Sequence, residues 1–348
     1  ISAPTTLAAG IVPTWQRRER EQRAMAPRMM QWGAIALMVS LAIVLLLWRQ
    51  SGPAPIVDPS GGTDAPPSDR PPAIAAAILA GGHATNAHAP GTLFDLASRK
   101  AIAVAEAERN WKVRRNFMLT RNQGAPLAPH EAALLDVMFK GERSVSWSTA
   151  ASRLARGGRA FRHAVNEELH RLRLTDDQRR ATRRRLFGAG LFLVAVSIAA
   201  VAIVIVMDVA PWGLAIPIAI DFAALLAIVL GATRVELSDE GYREREQWRA
   251  FKKSLKASIG STSSVSTMGS ESLALRFLPY VAALGLGLQF SRYLKKYGAN
   301  TALPPWFRTL GSGDASGAFA AFIGSTSAST GAGAAGSGAA GGGSSGAG

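Results

Sequence analysis

Asp221 is the residue whose position most demands a chemical account. It interrupts an apolar run, Leu214 to Ala232, where a charged side chain costs about 2.5–3.5 kcal/mol on insertion scales. Ser197 stands in the preceding apolar run and can hydrogen-bond to it. Pro217, one turn earlier, frees a backbone carbonyl that can shape a polar pocket. Two readings stay open: a polar contact that holds two helices together, or a proton-linked group in a transporter or channel subunit. Transport ordinarily uses more intramembrane polar residues than this, which favours the structural reading.

His163, Glu167 and His170 recur at helical spacing on one face. Two histidines and a carboxylate can ligate zinc. Here Arg159, Arg162, Arg171 and Arg173 crowd the same segment and would repel a cation, so it reads as a solvated charged face. A denser basic run closes with Arg179, Arg180, Arg183, Arg184 and Arg185, directly before an apolar stretch. Anionic lipid headgroups are its nearest partner, at about 1 kcal/mol per residue near such a surface. Binding to DNA or RNA is the weaker alternative, resting on the basic excess alone. No GxSxG elbow, Walker loop, HExxH or kinase signature occurs. The absence of cysteine excludes disulfides, Cys-ligated zinc, Fe–S clusters and thiol catalysis. No catalytic residue, cofactor or metal is expected, and the chain reads as a non-enzyme.

The elements that carry these residues follow from hydropathy. Nearly half of the 348 residues are hydrophobic, yet the formal charge is +15. Membrane proteins reconcile the two by placing apolar residues in spans and basic ones in cytoplasmic segments. Three spans are expected, at residues 32–48, 186–207 and 214–232; the first is flanked by Trp32 and Trp48, as an interfacial aromatic belt requires. The connection 208–213 has no Lys or Arg, whereas arginines crowd both outer ends of that helical hairpin. The turn is therefore expected outside and the flanking segments inside. By parity the stub 1–31 is extracytoplasmic and the C-terminus cytoplasmic. Arg17, Arg18, Arg20, Arg23 and Arg28 oppose that direction, and a translocated domain upstream would override them.

Residues 49–72 are a Pro/Gly linker. Residues 73–185 carry a cytoplasmic α+β pattern, for which a winged-helix-like arrangement is one candidate. Its parts are a short helix at 72–79, a helix at 92–100, strands at 101–107 and 112–121, a helix opened by Pro129, a short strand at 145–147 and one long helix over 148–172. Residues 233–310 form a further cytoplasmic helical region, with a charged helix at 238–256, a Ser/Thr/Gly linker at 258–272 and one helix over 273–297. From Gly311 onward Gly, Ser, Ala and Thr dominate, and the tail is expected to be disordered.

Several blocks carry a resemblance. FLPYVAALGLGLQF, containing Leu278, Pro279 and Tyr280, resembles the "LPYAIALG" block of the YciQ-like predicted membrane proteins, and Pro304, Pro305 and Trp306 resemble the PPW motif that follows it there. TLFDLASRKAI is similar to that family's "TLLDLAVRGYI", and LTRNQGAPLAPHEAALLDVMF to its next conserved stretch. The linker departs from the family's "GRDP" start. The resemblance implies an extracytoplasmic β-rich domain ahead of the first span and no established reaction. The expected function is thus a non-enzymatic scaffold or signal-coupling protein. Its partners would be the bilayer and an unidentified protein. The alternatives are a membrane-tethered nucleic-acid-binding regulator and a transporter using Asp221.

Overall fold

The computed structural model describes residues 14–49, 65–107, 115–122, 124–206, 211–260, 276–297, 303–310 and 314–331. Most of the Pro/Gly linker, the centre of the hairpin turn, most of the Ser/Thr/Gly linker and the end of the tail lie outside those residues. The chain divides into two units, one of residues 1–53 and 178–234, the other of 54–177 and 235–348.

Among the described residues, unit 1 contains three helices long and apolar enough to cross a membrane. Helix α1 (Thr14–Arg49) runs without interruption through Pro27, so the segment expected as a stub continues the first span's helix. At 1.5 Å per residue, α7 (Asp177–Val206) is about 45 Å long and α8 (Ala215–Thr233) about 28 Å. The second figure matches a hydrocarbon core of about 30 Å. Small residues let the backbones approach, because lipid gives apolar side chains no incentive to leave it. A Cβ on Gly190 would stand 2.6 Å from Ile228 Cγ1, and one on Gly33 would stand 3.3 Å from the Ala215 carbonyl oxygen. Arg183 Nε donates to the Gly231 carbonyl (3.2 Å) and Arg234 Nη2 to that of Trp48 (3.0 Å). These bonds gather the start of α7 and the ends of α8 and α1 at one end of the unit.

Unit 2 is built on a four-stranded sheet of order β3-β2-β1-β4. Strands β1 (Ile102–Ala107) and β2 (Asn116–Arg121) pair antiparallel, with Val104 opposite Leu119. β3 (Ser144–Ser146) joins β2, and β4 (Phe307–Arg308) lies parallel to β1, a strand the sequence did not announce. Alternation puts Ile102, Val104, Phe117 and Leu119 on the buried face. Helix α2 (Pro72–Leu79) starts on Pro72, whose missing N–H costs nothing in a first turn, and its residues 72–78 are all buried. Helix α3 (Ala89–Ser98) is likewise buried from Ala89 to Phe94. Helix α4 (Pro129–Phe139) opens at Pro129 as expected.

Three expectations need correction. The long helix over 148–172 is two, α5 (Trp147–Gly157) and α6 (Arg159–Arg171), parted at Gly158, where a side chain would meet Leu154's carbonyl oxygen at 2.7 Å. Helix α9 (Asp239–Gly260), capped by Ser238 Oγ accepting from Gly241 N–H (3.2 Å), belongs to the same core as residues 73–177, because Trp248 and Phe251 are buried in it. The region after the hairpin is therefore no separate body. The apolar stretch after residue 273 is likewise two short helices, α10 (Leu278–Ala283) and α11 (Gly287–Tyr297), separated by Gly285 at φ +78°.

The tail is the largest departure. Residues expected as disordered from Gly311 include α12 (Ala315–Gly331), which buries Phe319, Phe322 and Ile323 completely. Phe322 touches the rings of Phe94, Phe117, Trp147 and Phe307 at centroid distances of 5.0–6.0 Å. Finally, the chain leaves unit 2 and returns to it through an antiparallel clasp. Asp176 N–H donates to the Glu236 carbonyl (2.8 Å), Ser238 N–H to that of Leu174 (2.9 Å), and Thr175 bridges Leu237.

Candidate functional site

The residues singled out in the spans are not brought together as expected. Ser197 Oγ donates to the Pro217 carbonyl oxygen at 3.2 Å, and both residues are buried. Asp221 lies instead on the exposed side of α8, with Ile218, Phe222 and Leu225. Ser197 and Pro217 thus make a helix-to-helix contact without it. Of the juxtamembrane arginines, Arg183 also lies 5.6 Å from the Phe187 ring centroid, Arg179 and Arg180 are half-buried, and Arg184 and Arg185 are exposed. His163 and His170 are both more than half exposed, next to Glu167 and Asp177 respectively, a solvated face rather than a pocket.

Unit 2 does bring separated residues together. Phe94, Asp95 and Ser98 of α3, Pro279 and Tyr280 of α10, and Trp306 line one open cleft of about 280 Å³. Leu278, Pro304 and Arg276 complete its walls, and Pro305 is exposed beside it. Gly91 makes this possible. Any side chain there would strike Ala283, and its Cβ would stand 2.7 Å from the Pro279 carbonyl oxygen, so α3 and α10 can lie this close only with hydrogen at that position. The Trp306 ring packs 5.9 Å from that of Phe94, and Tyr280 stacks on Trp248 at 5.3 Å. The Tyr280 hydroxyl donates to the Arg70 carbonyl at 2.8 Å. Burial, then the charges of Asp95 and Asp69, push its pKa up to about 12, so it serves as a hydrogen-bond donor and not as a base near neutrality.

Behind the cleft is a charged group that sequence reasoning missed. Arg99 donates from Nε (3.2 Å) and Nη2 (2.9 Å) to Asp95 Oδ2, also holds Glu131 Oε1, and reaches the Pro126 carbonyl through Nη1 at 3.4 Å. Glu131 is buried, and its Oε2 accepts from Ala128 N–H (2.8 Å), which caps α4. One guanidinium therefore serves two carboxylates. Burial raises the Asp95 pKa against the opposing pull of Arg99. His130 alongside is buried, burial lowers its pKa, and neither ring nitrogen has a hydrogen-bond partner among the described residues. The available signal was the Asp95–Arg99 spacing of four on a helix, a favourable ion-pair separation.

The segments that meet at the cleft are those that carried the family likeness. Residues 62–294 match the family described as the C-terminal domain of a predicted membrane protein, DUF2207. The chain belongs to that family. As a DUF2207 C-terminal domain protein it is a membrane protein, and the likeness to YciQ-like proteins is consistent with this. No curated protein and no solved structure matches the chain. The match spans α3, α10 and the hairpin but ends before Trp306 and α12.

Proposed function

We propose that this DUF2207 protein is a non-enzymatic, multi-pass coupling protein whose unit 2 captures a partner protein in the cleft between α3 and α10. One observation carries the reading: three segments far apart in sequence close on a single open cleft, and what they present are recognition groups. Aromatic rings and prolines supply apolar area at low conformational cost, and a carboxylate supplies direction. Topology supports the coupling role. The arginines gathered at one end of unit 1 favour the cytoplasmic side for that end, and the connections to unit 2 depart from it. Unit 2 is then cytoplasmic and the hairpin turn external. Arg184 and Arg185, exposed beside the span, would face anionic headgroups.

The other readings have less to stand on. Nucleic-acid binding rests on the basic excess, and its densest run, Arg179 to Arg185, leads directly into a membrane-spanning helix. A transport role would place Asp221 among polar partners, whereas it lies on the exposed side of α8.

The test is site-specific photo-crosslinking in native membranes. A benzophenone amino acid replacing Ser98 should capture the same protein as one replacing Pro305, and one replacing the exposed Lys253 should not capture it. Identical adducts at all three positions, or none at Ser98, would remove the proposal.

A further inference from the structure

The charged group behind the cleft is unbalanced. Asp95 and Glu131 share Arg99, so the group has one more carboxylate than cation. His130 cannot supply the difference, because burial keeps it neutral. Both of Arg99's hydrogen bonds to Asp95 fall on Oδ2, and Oδ1 accepts none from the described residues. Asp95 shares the cleft wall with the rings of Phe94, Tyr280 and Trp306, whose negative π-faces attract cations and stack on planar ones. At about 280 Å³ the cleft lies at the lower edge of ligand-pocket sizes and suits one long side chain better than a folded element.

We infer that the cleft receives the guanidinium of an arginine side chain presented by the partner protein, with Asp95 Oδ1 as its acceptor and the rings of Tyr280 and Trp306 as its walls. This rests on the partner-capture reading and specifies its chemistry. A guanidinium pairs with a carboxylate through a charge-assisted hydrogen bond while its plane lies against an aromatic ring. It would also restore charge balance to the Asp95–Arg99–Glu131 group, whose partly buried Asp95 is held at a raised pKa. Among the described residues, Arg276 is the one cation on the cleft wall. It is exposed, with its guanidinium 5.5 Å from the Phe277 ring centroid.

The experiment uses the full chain in micelles, labelled with 5-fluorotryptophan, with the Trp306 resonance assigned from Trp306→Phe. The probes are N-acetyl-arginine amide and its uncharged isostere, N-acetyl-citrulline amide. The arginine probe should move the Trp306 resonance saturably, and the citrulline probe should bind at least tenfold more weakly. Asp95→Asn should weaken arginine binding about tenfold while leaving the buried Trp147 and Trp248 resonances in place, which shows the fold intact. Arg276→Gln should retain or tighten binding. Equal response to both probes, or binding unaffected by Asp95→Asn, overturns the inference. Loss of binding in Arg276→Gln would also overturn it, because probe binding would then depend on a cation that ought to repel the probe. A Ser98 cross-link without arginine binding sinks this inference alone. Arginine binding without a Ser98 adduct sinks the partner reading.

Discussion

In unit 1, Ile205 is 71% exposed and Phe192 67%, whereas in unit 2 Phe94, Phe251 and Phe322 are at most 1% exposed. The same residue types point outward in one unit and inward in the other. Lipid tails solvate apolar side chains as well as a protein interior does, so unit 1 has no hydrophobic reason to hide them. Its cohesion comes from close backbone approach at Gly33, Gly190 and Gly231. Unit 2 is held by filled volume around interlocking rings. The comparison teaches that size is critical in one unit where it is nearly free in the other: small residues cannot grow in unit 1, and large ones cannot shrink in unit 2.

Phe322→Ala tests the second half most severely. It should cost unit 2 about 3–5 kcal/mol, the range for emptying a buried aromatic site. Phe192→Ala on the outer face of α7 should change the stability of the purified protein by less than about 0.5 kcal/mol. Guanidinium titrations in micelles, followed by the fluorescence of buried Trp147 and Trp248, give the first value, and the rate of disulfide formation between cysteines introduced on α7 and α8 checks the second. A mild effect of Phe322→Ala would mean that α12 is dispensable.

Acid sharpens the contrast next. Burial, aided by His83 and Lys252, lowers the His88 pKa to about 3 from its usual 6.5. Between those values the unfolded chain binds a proton that the folded one does not. His88's contribution is therefore complete above about pH 6.5 and falls with pH by about 1.4 kcal/mol per unit until it levels off near 3. Buried His130, shifted the same way, steepens the slope. Unit 2 melting followed from pH 7 to 4 should show this loss, and His88→Gln should flatten it. A flat wild-type profile would place His88 in water.

The last test loads the small-residue contacts of unit 1. Gly190→Leu forces side-chain atoms into Ile228 and the Ala224 carbonyl, and should weaken the α7–α8 pairing by about 1–3 kcal/mol. Cysteines introduced at facing positions of α7 and α8 would report this as slower disulfide formation. The unit 2 melt should not move.

The two units also differ in how openly the sequence declares them. A span must be one continuous apolar run, so Trp32–Trp48 and the third span were legible within a residue or two, whereas α7 starts at Asp177, well before the expected apolar start at Leu186. In unit 2, helices announced by Pro72 and Pro129 and strands marked by alternation were legible as well. The breaks at Gly158 and Gly285 were not, because apolar spacing continues across them. α12 was hidden by composition: Gly, Ser and Ala read as disorder, while Phe319, Phe322 and Ile323 at helical spacing were the signal of a buried face. The motif residues Pro279, Tyr280 and Trp306 stood out by resemblance. Their meeting with Asp95 is a tertiary fact, set by the space left at Gly91, and no local pattern encodes it.

The clasp at Leu174–Asp176 and Glu236–Ser238 has a consequence for modularity. The polypeptide leaves unit 2 and re-enters it between two hydrogen-bonded neighbours, as it would at the base of a β-hairpin. In topological terms α7 and α8 are an insert spliced into a domain that is already closed on either side of the splice. With residues 1–53 also removed, a tight turn in place of residues 178–234 would bridge the same gap, leaving unit 2 free of membrane-spanning helices with its sheet, aromatic core and cleft uninterrupted.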